Sequence, residues 1–131
     1  MPQLQRILYV EDEPDIQLVA RMALEMIGGF QIVLCSSGQA ALDAAPTAQA
    51  DLFLLDVMMP GMDGPTTLGR LREQPALAGI PAIFMTAKAQ PAEVANLLAL
   101  GASGVIPKPF DPMTLADEVR TLWQHAITKG D

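Results

Sequence analysis

Four short apolar runs in this chain each end in a side chain with chemistry to offer. Ile7-Leu8-Tyr9-Val10 runs into Glu11-Asp12, Leu52-Phe53-Leu54-Leu55 into Asp56, Ile83-Phe84-Met85 into Thr86, and Val105-Ile106-Pro107 into Lys108. In a parallel sheet with helices between its strands, every strand ends on the same edge, so three carboxylates, a hydroxyl and an ammonium converge there. The result is an ionic site suited to a divalent cation and a phosphoryl group.

The rest of the chain alternates short apolar runs with helical patterns, which argues for repeated strand-helix units and an α/β fold. Pro14 opens a first helix that Gly28-Gly29 closes, and Phe30 to Cys35 reads as the second strand. Ser37-Gly38-Gln39 opens a short second helix that fades by Pro46, and the third strand runs from Asp51 to Asp56. Pro60-Gly61 and Asp63-Gly64-Pro65 make a long turn into a third helix through Leu68 and Leu71, with Asp63 as its cap. Pro75 to Pro81 is a loop, a fourth helix spans Pro91 to Leu100, and Gly101 and Gly104 bracket the turn into the fifth strand. Asp111-Pro112 starts the last helix, on which Leu115, Ala116, Val119, Leu122, Trp123 and Ala126 share a face at about 100° per residue. Asp117, Arg120, Thr121 and Gln124 then lie outside. Pro107 lacks an N–H, so strand pairing is expected to end there.

With 131 residues, half of them apolar, the chain is expected to be a single domain, residues 1–131, with no output domain after Gly130-Asp131. The net charge of −7 and the eight scattered Lys and Arg repel a phosphate backbone, so no nucleic acid is expected as partner. The leader Met1-Pro2-Gln3-Leu4-Gln5-Arg6 precedes a run too short for a secretory signal, and no stretch suits a membrane span. The single cysteine, Cys35, reads as a buried thiol and fits a reducing, cytoplasmic setting.

Glu11 and Asp12 repel each other and Asp56 unless a cation or a proton intervenes. Mg²⁺ prefers about six oxygen ligands and is commonly held by one or two carboxylates plus phosphate oxygens, which matches this set. Zinc lacks ligands, because there is no cysteine pair and only His125. With a phosphorus centre at the cation, an oxygen of Asp56 can attack to give an aspartyl-phosphate, while Lys108 and the Thr86 hydroxyl meet the negative charge.

The residues Glu11-Asp12, Asp56-Val57-Met58-Met59-Pro60-Gly61-Met62-Asp63-Gly64, Thr86-Ala87 and Lys108-Pro109-Phe110 together resemble the receiver domain of two-component response regulators over essentially the whole chain. Each alone suits an ordinary turn or surface position; the specificity lies in their combined order and spacing. The resemblance implies a three-layer, doubly wound, flavodoxin-like α/β fold whose five-stranded parallel sheet has the order 2-1-3-4-5. It implies that Asp56 accepts a phosphoryl group from a phosphohistidine of a histidine kinase or phosphotransfer protein, and that Asp12, Asp56 and the Met58 backbone carbonyl ligate Mg²⁺, with Glu11 acting mostly through water. Thr86 and Lys108 would bind the phosphoryl oxygens, and the Lys108-Pro109 peptide would be cis.

Departures from that family pattern carry information too. Val105 stands where receivers usually carry an aromatic residue that swings inward with the threonine, so switching on that face is expected to be muted or to take another route. Met58 and Lys88 occupy positions that modulate phosphoryl lifetime in the family; Lys88 can pair with the phosphoryl group or with Glu11. On the first helix, Ile16, Ala20, Ala23, Leu24 and Ile27 form a core stripe, whereas Leu18 and Met22, with Met26 at the margin, project elsewhere. Two readings of those three residues stay open, a widely buried helix or a docking face for the phosphodonor.

Three functions suit such a chain unequally. The leading one is a phosphoacceptor, not an enzyme, that signals by contact with an unknown downstream protein, including as a phosphate sink or relay intermediate. An excised piece of a hybrid kinase or multidomain regulator is the alternative within it. A haloacid-dehalogenase-like phosphatase needs a second aspartate where Met58 stands, and a purely structural receiver would not need the full set of Glu11, Asp12, Asp56, Thr86 and Lys108.

Overall fold

A computed structural model describes residues 3–129; Met1-Pro2 and Gly130-Asp131 lie outside the described residues. The apolar runs form five parallel strands, β1 (Arg6–Val10), β2 (Gln31–Cys35), β3 (Leu52–Asp56), β4 (Ala82–Thr86) and β5 (Gly104–Pro107), paired in the order β2-β1-β3-β4-β5. Val10 pairs with Leu55 and with Cys35, Asp56 with Met85, and Thr86 with Pro107, so the C-terminal strand ends are level. The helices α1 (Pro14–Met22), α2 (Gly38–Ala48), α3 (Gly64–Arg72), α4 (Pro91–Ala99) and α5 (Leu115–Lys129) cover both faces. This is the three-layer, doubly wound, flavodoxin-like α/β fold.

Alternation along the strands sorts side chains into two cores. Ile7, Tyr9, Leu54, Met85 and Ile106 pack with Ala20 of α1, with Leu24 just beyond it, and with Val119 and Trp123 of α5. Leu8, Val10, Phe53, Leu55 and Phe84 pack on the other face with Ala41 and Ala45 of α2, Leu68 and Leu71 of α3 and Leu97 of α4. Leu8, Leu52, Leu54 and Leu55 have no exposed surface, and each such side chain contributes roughly 1.5–3 kcal/mol on burial. Because helices shield both faces of β3 and β4, those strands are apolar continuously and do not alternate with polar residues.

The structure departs from the sequence-based expectations in three of its helices. The second helix does not fade at Pro46 but runs to Ala48. Pro46 is exposed and its ring removes only one helical hydrogen bond, while Ala45 and Ala48 keep the inner face packed on the core. The last helix begins at Leu115, after a lead-in turn in which the Asp111 carboxylate accepts from the Met113 N–H at 2.9 Å. Along it Arg120 is half-buried, not outside: its guanidinium stacks 4.7 Å from the Phe30 ring and donates to the Gly28 carbonyl at 2.8 Å. Pro107 is the last paired residue of β5, opposite Thr86, as expected, and the Lys108 N–H closes that pair by donating to the Thr86 carbonyl at 2.8 Å. β5 is an edge strand, so the missing Pro107 N–H falls on the side without a neighbour.

The third departure concerns the first helix. α1 starts at Pro14 as expected, but over Ala23–Ile27 it widens into a π turn in which the Gly28 N–H donates to the Ala23 carbonyl, five residues back, at 3.2 Å. One extra residue in a turn shifts the phase of the residues beyond it by about 100°. Ile27, expected in the core stripe, is therefore 49% exposed, whereas Ala20, Ala23 and Leu24 are buried. Leu18, Met22 and Met26 are 62%, 50% and 77% exposed, which excludes the widely buried helix.

Candidate functional site

Strand ends deliver the site. Glu11 follows β1 and Lys108 follows β5, while Asp56 and Thr86 close β3 and β4. Glu11, Asp56 and Lys108 continue the alternation of Tyr9, Leu54 and Ile106, so their side chains leave on the face covered by α1 and α5. The loop after β1 is anchored from three sides: the Glu11 N–H donates to the Cys35 carbonyl at 3.0 Å, the Glu13 N–H donates to Glu11 Oε2 at 3.2 Å, and the Gln17 amide donates to the Glu11 carbonyl. Nothing in the residue pattern marked Gln17, whose partner Glu11 lies in a loop before its helix.

Lys108 Nζ stands 2.9 Å from Glu11 Oε1 and 3.0 Å from Asp56 Oδ1, so one ammonium bridges two buried carboxylates. Burial pushes the Glu11 and Asp56 carboxyls above their ordinary values, and the bonds from Lys108 offset part of the rise. For Lys108, burial acts downward, but the two carboxylate partners outweigh it and hold the ammonium above its usual value. Lys108-Pro109 is a cis peptide, as the resemblance implied. Glu11 is thus paired with Lys108, and Lys88 is exposed, its N–H donating to the Thr86 hydroxyl at 3.0 Å. The buried Thr86 hydroxyl is in this way turned toward its own loop.

Glu11, Asp12 and Asp56 each offer an oxygen within 4.8 Å of the others. Asp12 Oδ1 is buried and has no hydrogen-bond partner among the described residues. An all-oxygen donor set with one uncommitted carboxylate oxygen fits a hard divalent cation. Met58, two residues beyond Asp56, has its side chain 63% exposed. Asp63 caps α3, accepting from the Thr66 N–H at 2.8 Å, as expected from its place in the turn. Cys35 is buried, and burial pushes its thiol up.

One polar group on this face escaped the sequence reading. Tyr9 is completely buried and its hydroxyl has no partner among the described residues, an arrangement that costs about 1–3 kcal/mol. Within an apolar run it reads as one more core aromatic, and only the depth of its burial beneath the acids distinguishes it.

Comparison with known proteins agrees with this fold. The response regulator receiver domain family matches residues 7–120. The transcriptional regulatory protein PcoR of Escherichia coli is 39% identical over 127 residues, covering 97% of this chain and 55% of that protein. Among solved structures, the chemotaxis response regulator CheY4 of Vibrio cholerae superposes with a TM-score of 0.84 at 28% identity, covering 92% of this chain and 99% of that one. The signal receiver domain of a signal transduction histidine kinase from Syntrophus aciditrophicus does so with a TM-score of 0.79 at 34% identity, covering 92% and 91%. The chain spans about half the length of the curated relatives it matches. Sheet order, strand-end residues and these matches converge, and the chain belongs to the response regulator receiver domain family.

Proposed function

We propose that Asp56 accepts a phosphoryl group from the phosphohistidine of a histidine kinase or phosphotransfer protein, in a Mg²⁺-dependent transfer. The observation that carries this reading is the Lys108 ammonium held between Glu11 and Asp56 beside three gathered carboxylates. An Asp56 oxygen attacks phosphorus, a P–O bond forms as the P–N bond of the phosphohistidine breaks, and the electron pair leaves on the imidazole nitrogen, which takes a proton. Lys108, already 3.0 Å from Asp56 Oδ1, holds the oxygens of the arriving group, and the Thr86 hydroxyl is the second donor at the edge. Mg²⁺ bound by Asp12, Asp56 and the Met58 carbonyl, with Glu11 mostly through water, would supply positive charge beside the phosphoryl oxygens. The product stays on the chain, so this is a signalling acceptor rather than an enzyme acting on a separate substrate.

The donor docks on α1. Leu18 and Met22 are exposed there, and Val19, Met22, Ala23, Met26, Ile27 and Pro112 line an apolar groove. A second groove, lined by Asp15, Ile16, Val19, Pro109 and Phe110, reaches Lys108. We read the chain as one receiver domain working in the cytoplasm through protein contacts, as a switch, sink or relay intermediate. The length of its relatives, PcoR among them a transcriptional regulator, supports a second reading in which the receiver serves a longer regulator or a hybrid kinase.

The test is intact mass after incubation with Mg²⁺ and a small phosphodonor. One added phosphoryl group on the wild type, absent from Asp56→Asn, is expected; equal incorporation in both would refute Asp56 as the acceptor.

A further inference from the structure

Resting on the phosphoacceptor reading, we propose that Tyr9 is a positioning residue of the phosphorylated state, its hydroxyl donating to the Glu11 carboxylate when Lys108 turns to the phosphoryl oxygens. Tyr9 precedes Glu11 by two residues on β1, so the two side chains leave the same face of the sheet. Tyr9 pairs with Leu54, and Asp56 is two residues beyond on β3, which puts Asp56 diagonally across on the same face. The phenol is completely buried and its oxygen has no partner among the described residues, although phenylalanine would fill the same space without a stranded donor. As a phenol it offers one O–H donor, on the face of the sheet from which Glu11 and Asp56 leave.

Other donors serve the two carboxylates in the resting arrangement. Lys108 already bonds Glu11 Oε1 at 2.9 Å and Asp56 Oδ1 at 3.0 Å. When Asp56 carries a phosphoryl group, the ammonium follows the new oxygens and Glu11 is left buried with one donor fewer. A buried carboxylate that keeps only the Glu13 N–H, at 3.2 Å, is under-satisfied, and the Tyr9 O–H is a replacement donor on the same face. The hydroxyl thus stabilises the phosphorylated state without stabilising the resting one.

Tyr9 is the only tyrosine in the chain, so its vibrational signature is uncontaminated. Ultraviolet resonance Raman spectra would be recorded with Mg²⁺, before and after beryllofluoride, with bound fluoride followed by fluorine magnetic resonance. The tyrosine bands are expected to shift from a free to a donating phenol on beryllofluoride binding. Tyr9→Phe should bind beryllofluoride roughly tenfold more weakly, the loss of one hydrogen bond to a charged group, while its resting-state stability equals or exceeds that of the wild type. Bound beryllofluoride with unmoved tyrosine bands, equal affinity in Tyr9→Phe, or a destabilised resting variant would each overturn the role of Tyr9 and leave the phosphoacceptor reading intact. Failure of the wild type to bind beryllofluoride at all would overturn both.

Discussion

Gly64 ties the phosphoacceptor to the helix after it, and replacing it with alanine tests how tightly the fold holds Asp56. A Cβ on Gly64 would lie 2.3 Å from the Asp56 carbonyl oxygen and 3.0 Å from the Val57 Cα. Ordinary carbon to oxygen contacts sit near 3.3–3.6 Å, so the overlap is about 1 Å. The neighbour is backbone, and the Gly64 N–H also donates to the Val57 carbonyl at 2.8 Å, so the strand end and the helix must part together. Overpacking of this kind costs about 1–3 kcal/mol, and alanine's better helix propensity returns less than about 1 kcal/mol, giving an expected net loss near 2 kcal/mol. For a domain of this size that lowers Tm by roughly 6–8 °C. Gly69→Ala is the control: a Cβ there meets nothing within 4 Å, in the interior of α3, and a gain of about 0.5–1 kcal/mol is expected. Urea unfolding of both variants reads the difference. A neutral or stabilised Gly64→Ala would refute the close approach, and with it the claim that this contact fixes the Asp56 carbonyl. Where the overlap is real, displacement of the acceptor should also slow labelling by a small phosphodonor, on the order of tenfold or more.

The acids make stability depend on pH. Glu11 and Asp56 have raised carboxyls in the folded, metal-free protein, so their contribution is fully present below the ordinary carboxylate range near about pH 4 and is lost as pH rises through the raised values. Asp56→Asn should therefore be more stable than the wild type near neutrality, the gap closing on acidification; an Asn variant less stable at neutral pH would show that the attraction to Lys108 prevails over burial. Substituting Leu18 and Met22 with glutamate should slow transfer from a histidine-phosphorylated protein donor by roughly tenfold or more while sparing a small phosphodonor, and equal losses with both would count against docking on α1. With Val105 standing where the receiver pattern carries an aromatic residue, structures with and without beryllofluoride are expected to differ little from Lys88 to Val105, and a large rearrangement there would overturn the expectation of a muted switch.

Strand identity was local information: Leu52-Phe53-Leu54-Leu55 and Ile83-Phe84-Met85 are apolar at every position because helices cover both faces, and that density is visible without knowing the neighbours. So were the residues that end the strands, because side chains on one sheet edge are set by where each run stops. What the chain could not reveal depends on contacts between distant segments. Lys108 and Glu11 are 97 positions apart, and only the sheet order places one ammonium between two carboxylates. The π turn that exposes Ile27 ends at Gly28, whose carbonyl meets Arg120 on α5, 92 positions away in the chain. Helix periodicity assumes a constant 3.6 residues per turn, so it misplaces every side chain beyond the wider turn. Tyr9 belongs to the same class: an apolar run specifies that a residue is buried, but whether its hydroxyl finds a partner is decided by the side chains that the fold brings around it.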